Sequence, residues 1–243
     1  MAALELTFLG TGNAFAPRGR GCSGFLLDRR HLFDAPPQAL QSLNRLRIDP
    51  NGIETVVLSH QHGDHFLGLP MLLVYWKELG RSTPARIVLP AGMREAMLQL
   101  CRIASRTSLD AAYGIEWVEA EAGVAVEVGE LVIAPVAVKH DPKLELSLGY
   151  RVAYSGRRLG YTGDSAMCDG VLELARESDV LVSECSSRDQ QLPTHMNLAD
   201  DIPRVRAAMA ETAELVLTHL GPGVDTAGLA HTTVAEDLAS YSL

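Results

Sequence analysis

The residues best equipped for chemistry sit in one short run, Ser59-His60-Gln61-His62-Gly63-Asp64-His65, where three imidazoles and a carboxylate fall within six positions. Imidazole and carboxylate are the usual donors to divalent cations, so this density suits one or two ions of the zinc or manganese kind. The run follows Thr55 to Leu58, an apolar, β-branched stretch that reads as a buried strand. His60 therefore emerges at a strand end, and His62, two positions on, can face the same way. Gly63 permits a tight turn, and Asp64 with His65 opens the apolar segment Phe66 to Leu79. The same presentation recurs further along. His140 follows the strand-like run Leu131 to Val138, His219 follows Leu215 to Thr218, and Glu184 ends Val180 to Ser183. Asp164 stands in Thr162-Gly163-Asp164-Ser165, where an aspartate is also an ordinary turn residue.

The elements that must position these groups alternate between two periods. Leu4 to Leu9 reads as a first strand delivering the glycine turn Gly10-Thr11-Gly12-Asn13 with exposed amides. Phe25 to Asp28 and His31 to Asp34 form a hairpin around Arg29-Arg30, which leaves His31 on the surface. Helical spacing marks 39–48, 93–104, 168–177, about 198–210 and the outer segment His231 to Leu238, with His231 at the surface. Leu67 to Leu79 is apolar nearly all round and reads as a buried helix, with Tyr75 and Trp76 in the core. Further strands are expected at 86–89, 115–119 and 124–128, the last two joined by a glycine turn, and 147–154 pairs with 158–162. Arg18 and Arg20, in Pro17-Arg18-Gly19-Arg20-Gly21-Cys22-Ser23, offer guanidinium forks for phosphate oxygens, although a solvated loop accounts for them equally well.

Bulk properties limit the partners. At 243 residues with 47% hydrophobic content, the chain can bury a full core as a single large domain. The balance of 21 basic against 30 acidic side chains, net −9, supplies no general attraction to nucleic acid or an anionic membrane. Cys22, Cys101, Cys168 and Cys185 are scattered without a C-x-x-C pair, so reduced buried thiols are expected. With no leader-like start and no run of transmembrane length, the expected compartment is the cytoplasm.

His60-x-His62-x-Asp64-His65 resembles the signature of the metallo-β-lactamase-fold hydrolases in its full dinuclear form, and the resemblance covers most of the chain. It implies an α/β (α+β) fold, a four-layer αββα sandwich over residues 1–243, with metals on one edge. A β-sandwich rim gathers ligands from several strand ends, which gives His140 and His219 their weight. Carried over by position, His60, His62 and His140 hold one metal, Asp64, His65 and His219 the second, and Asp164 lies between them. The cofactors implied are two divalent ions, zinc first, with manganese or iron open. A bridging hydroxide generated near neutral pH would attack the substrate, which could be a phosphoester, thioester or amide. Asp34 matches an acidic residue that lies beside the metal histidines in the family, yet an aspartate before Pro36-Pro37 can equally cap a helix.

Leu9-Gly10-Thr11-Gly12 with a downstream Arg and Ser resembles the ribonuclease Z branch, and His195 in Thr194-His195-Met196-Asn197 resembles its extra histidine, with Glu184 as the acid that orients it. An alkoxide leaving group needs a proton, which a carboxylate-held imidazolium can supply, whereas a thiolate leaves without one. A plain loop histidine and strand-end glutamate are the alternative. The long basic arm that ribonuclease Z carries between the positions of His140 and Asp164 has no room here, which argues against tRNA. The expectation is thus a dinuclear phosphodiesterase for a small or nucleotide-like phosphodiester. Asp64, Glu184 and His195 would be its catalytic residues and Arg18 and Arg20 its substrate contacts. A thioester or lactone hydrolase is the alternative enzyme, and a non-catalytic metabolite carrier comes third. A homodimer is left open.

Overall fold

The computed structural model describes residues 3–144 and 146–243. The first half contributes β1 (Glu5–Gly10), β2 (Gly24–Leu27), β3 (His31–Phe33), α1 (Ala39–Arg45), β4 (Thr55–Val57), α2 (Gly63–Phe66), α3 (Leu69–Glu78), β5 (Ala85–Pro90), α4 (Arg94–Ala104) and β6 (Ile115–Ala120). The second contributes β7 (Val126–Val128), β8 (Leu131–Ala137), β9 (Leu148–Tyr154), β10 (Arg157–Tyr161), α5 (Asp169–Glu177), β11 (Val180–Glu184), α6 (Asp201–Ala208), β12 (Glu214–Thr218), β13 (Thr232–Val234) and β14 (Ser240–Ser242). Two seven-stranded sheets result, in the orders β14-β1-β2-β3-β4-β5-β6 and β13-β12-β11-β10-β9-β8-β7. Each half of the chain builds one sheet, and only β14 returns to the first, pairing antiparallel with β1.

The period-2 pattern creates the layers. In β11, Val180 and Val182 enter the core between the sheets while Leu181 faces outward to the helices, and in β4 Val57 and Val56 divide the same way. α1, α3 and α4 cover the first sheet, and α5 and α6 cover the second, which makes the four-layer αββα sandwich a single folded unit. No helix among the described residues is long and apolar enough to cross a membrane.

Several expectations need correction. His31 is buried, because as the first residue of β3 it points under Glu130, whose Oε1 lies 3.2 Å from its Nε2, and burial lowers its pKa. The segment 231–238 is no helix. Its β-branched Thr232, Thr233 and Val234 add a parallel strand beside β12, while His231 remains exposed. The strands β6 and β7 are joined by the expected glycine turn, at Gly123, which carries the chain from one sheet to the other. α3 is buried along one face only, leaving Met71 and, at its flanks, Leu67 and Leu79 exposed. The amides of Gly12 and Asn13 are engaged by Gly21 O and Leu220 O rather than exposed. All four cysteines are unpaired, although Cys22 and Cys168 are only partly buried.

Candidate metal centre and active site

One edge of the sandwich collects the chemistry. β4, β10, β11 and β12 each run parallel to a neighbour, and from their carboxyl ends come His60, Asp164, Glu184 and His219. β8, antiparallel to β9 as β10 is, delivers His140 to the same edge. His62 precedes α2, whose single turn carries Asp64 and His65. Two of the bends are strained. Asp34 and His219 both have left-handed backbones, φ 54° and 50°, at side chains that are almost completely buried and bound on several sides. Gly163, φ 55°, admits no side chain, since a Cβ there would lie 2.9 Å from Ser59 Cβ, and this glycine lets Asp164 turn into the centre.

The hydrogen bonds on the outer side of each ring decide the state of its inner nitrogen. His140 Nδ1 donates to Thr194 O at 3.0 Å, so its Nε2 is bare. Ser59 Oγ donates to Asp34 Oδ2 and must therefore accept from His60 Nδ1, 2.9 Å away, which leaves His60 Nε2 bare. Ser186 Oγ, donating to Glu184 Oε2, stands in the same relation to His219 Nδ1 at 2.9 Å. His65 Nδ1 donates to Asp34 Oδ2 at 2.6 Å, and His62 Nε2 donates to Asp141 Oδ2 at 3.3 Å. Four lone pairs thus face inward, and the His65 Nε2 lone pair is the fifth once a cation replaces its proton.

They fall into two groups around Asp164. His62 Nδ1 lies 3.0 Å from both His60 Nε2 and His140 Nε2, and each of the latter is 3.8 Å from Asp164 Oδ2. His65 Nε2 and His219 Nε2 lie 3.2 and 3.4 Å from Asp64 Oδ2, and 3.3 and 3.2 Å from Asp164 Oδ2. Four donors at bond lengths of about 2.0–2.1 Å around a tetrahedral ion are separated by about 3.3–3.4 Å, so both groups have the spacing of an ion's ligands. Bare nitrogens 3.0 Å apart repel unless a cation lies between them. His65 Nε2 and Asp164 Oδ1 are buried without a hydrogen-bond partner, as atoms awaiting a metal would be. These His/Asp clusters are suited to metal ions.

Electrostatics agree. Burial holds His60 well into the neutral form that ligates and lowers the His140 pKa in the same direction. Burial opposes charge on Asp64 and Asp164, but His219 and His65 outweigh it and keep both carboxylates ionised. Burial likewise disfavours a charged His65, yet Asp164 and Asp34 overcome it, so the carboxylates demand positive charge at the position of the second cluster.

His195, which also groups with Asp164, Glu184 and His219 as ligand-capable side chains, differs from the other five in its partner. Its Nδ1 is 2.8 Å from Glu184 Oε1, and Glu184, buried, also accepts from the amides of Ser165 and Ser186. Burial lowers the His195 pKa, but the bond to and charge of Glu184, with Asp164 behind, push it up to about 9. The ring stacks near His219, 5.4 Å between centroids, and faces a cavity of about 400 Å³ that Asp64, His62, Asp164 and His140 also line.

Arg18 and Arg20 are not brought to this cavity. Arg18 Nη1 donates to both carboxylate oxygens of Asp225 at 3.0 Å, and Arg20 Nη1 donates to Thr11 Oγ1 and Ala235 O, so both arginines are paired within the protein. Asp34 resolves in favour of the metal histidines: its carboxylate takes bonds from Ser59 N, Ser59 Oγ, His65 and Tyr161 and caps no helix. Ser59, Ser186, Asp141 and Tyr161 escaped the sequence reading. Ser59 and Asp141 adjoin ligands in the chain, while Ser186 and Tyr161 carry no local signal.

Comparison with known proteins gives a consistent picture. The family profile described as the Beta-lactamase superfamily domain matches residues 29–220. The uncharacterized protein Rv1339 of Mycobacterium tuberculosis is 32% identical over 234 residues, covering 91% of this chain and 82% of that one. Ribonuclease Z of Methanosarcina acetivorans is 26% identical over 272 residues, covering 89% and 87%. The crystal structure of the metallo-β-lactamase fold protein YhfI from Bacillus subtilis superposes with a TM-score of 0.80 at 22% identity, over 98% of this chain and 99% of that one, a likeness of fold.

Proposed function

Since the chain belongs to the β-lactamase superfamily and is a metal-dependent hydrolase of the metallo-β-lactamase fold, we propose that it is a dinuclear phosphodiesterase acting on a small or nucleotide-like phosphodiester. The observation that carries this reading is the His195–Glu184 pair, 2.8 Å apart at the cavity wall beside Asp164. Glu184 keeps His195 protonated and turns its second nitrogen toward the cavity, where it can hand a proton to a departing alkoxide. Thioester cleavage has no need of such a donor. The 26% identity to a protein named ribonuclease Z points the same way.

His60, His62, His140 and Asp164 would hold one ion and Asp64, His65, His219 and Asp164 the other, with zinc the first choice and manganese or iron also suited to these donors. Bound there, two divalent ions would lower the pKa of coordinated water and neutralise charge gathering on phosphoryl oxygens. Asp34 and Ser186 fix the tautomers that keep the ligand nitrogens bare, and Asp64 aligns with the second cluster. A small substrate is favoured over tRNA because the net charge is −9 and β9 runs into β10 through the short turn at Ser155 and Gly156, with no basic arm on that hairpin.

The test is a substrate panel. Metal-loaded protein should hydrolyse bis-p-nitrophenyl phosphate in preference to a glutathione thioester and a lactone; turnover of the thioester or lactone alone would replace this reading with an acyl hydrolase.

A further inference from the structure

Of the cavity-lining side chains that neither the metal clusters nor the proton donor uses, Asn13, Ala14, Phe15 and Leu192, one stands out. Phe15 lines the cavity together with Asp64, Asp164 and His195, yet it is 90% exposed, the highest exposure of any large apolar side chain among the described residues. It does not stand there through lack of structure. Asn13 Oδ1 accepts the Phe15 amide at 3.1 Å and Asn13 O accepts that of Ala16, closing a tight turn with Phe15 at its tip. The loop behind is fastened at both ends: Asn13 N bonds Leu220 O, next to the ligand His219, and Gly12 N bonds Gly21 O. Asp237, from the C-terminal segment, accepts from Thr11 Oγ1 at 2.6 Å and Gly21 N at 2.7 Å. The chain therefore spends many bonds on holding an apolar ring over the mouth of a charged cavity, where it gains no burial of its own. The turn that bears the ring is thus fixed, and the open ring can meet a ligand's flat face.

Resting on the phosphodiesterase reading, we propose that Phe15 is a specificity-determining stacking platform, and that the substrate is a phosphodiester bearing a planar aromatic group, a nucleobase or an aryl ester, laid against it. The phosphate end would be held by the metal clusters, since Arg18 and Arg20 are engaged elsewhere, and the ring end by Phe15. Asp237 is then a positioning residue for the loop.

The test compares ligands that differ only in the ring. Binding of adenosine 5′-monophosphate and ribose 5-phosphate to the zinc-loaded chain is measured by calorimetry, beside a second pair, phenyl phosphate and methyl phosphate. In the wild type one pair should show the ring-bearing member bound about tenfold or more tightly, and which pair does so tells nucleobase from aryl ester. Phe15→Ala should abolish that preference while leaving ribose 5-phosphate binding unchanged, Phe15→Trp should keep it, and Phe15→Leu should lose most of it. A wild type without ring preference in either pair, or a preference that survives in Phe15→Ala, overturns the proposal. The phosphodiester reading is judged separately by the substrate panel: if bis-p-nitrophenyl phosphate is not hydrolysed while the ring preference holds in the wild type and is lost in Phe15→Ala, that reading falls on its own and Phe15 remains the stacking platform.

Discussion

Two imidazole–carboxylate pairs on the same rim are built alike up to their last atom. His65 meets Asp34 at 2.6 Å and His195 meets Glu184 at 2.8 Å; both carboxylates are buried and both also accept from backbone amides. The contrast lies across the ring. His65 Nε2 faces Asp64 and Asp164 at 3.2 and 3.3 Å inside the protein, whereas His195 is 22% exposed on the open cavity and has no carboxylate other than Glu184 in ion-pair range among the described residues. The pairing sets a tautomer and a charge; what stands opposite decides whether that imidazole suits a cation or a proton. On the reading proposed, one pair binds metal and the other completes the reaction.

The largest effect should come from removing what both metal groups share. Asp164→Ala deletes the oxygen that lies 3.2–3.8 Å from four ligand nitrogens, so metal affinity should fall at both clusters by well over about 100-fold, more than loss of an outer partner costs. Elemental analysis returning two full equivalents would remove Asp164 from its bridging place. His195→Ala, by contrast, should leave metal content intact and lower turnover about 10²–10⁴-fold on a diester with a poor alkoxide leaving group, with a much smaller loss when p-nitrophenolate departs. A missing metal would make His195 a ligand like His65, and an equal loss on both leaving groups would make it a binding residue; either dissolves the comparison.

Exchanging the two carboxylates for amides sharpens it further. Asp34→Asn should weaken metal binding about 10–100-fold, because an amide no longer fixes the His65 tautomer. Glu184→Gln should cost the metals less, since Glu184 reaches His219 only through Ser186, and should chiefly move the pH profile. A general acid works while protonated, so activity declines as pH rises through the His195 pKa, which Glu184 and Asp164 together push up to about 9. Without the glutamate charge that alkaline limb must shift to lower pH. Cations bound nearby displace the limb downward in wild type and variant together, so the difference between them is the readout. An unmoved limb would mean that another group controls it.

The strand-end rule made most of this edge legible, because apolar alternation followed by a histidine or acid places the side chain on a rim whatever the loops do. Asp34 stayed undecided since an acid before two prolines satisfies a helix start as readily as a ring nitrogen, and only proximity to His65 separates the two. The hydroxyl relays were invisible: Ser186 sits between Glu184 and His219, residues 35 positions apart in the chain, and no local pattern encodes such a contact. At the C-terminus, helical spacing over 231–238 lost to the open edge of β12, which offered Thr232–Val234 a partner for its backbone. β14 was missed for the same reason, its pairing with β1 being set by a partner at the other end of the chain.

The smallest expected effect belongs to the arginines, and it tests the comparison from outside the rim. Guanidinium forks near a glycine-rich turn read as phosphate holders, but Arg18 is 71% exposed at its side chain and satisfied by Asp225, itself half exposed. An ion pair in that setting contributes about 0–1 kcal/mol and is further screened by salt. Arg18→Ala should therefore change KM for a phosphodiester less than about twofold and leave the unfolding midpoint nearly where it was. Arg20 reaches inward to Thr11 and Ala235, so Arg20→Ala should cost more stability than Arg18→Ala while still leaving kcat close to wild type. Should Arg18→Ala raise KM tenfold, the guanidinium must leave Asp225 for the substrate on binding. Phosphate recognition would then extend beyond the metal-ligating edge to the loop that carries Phe15.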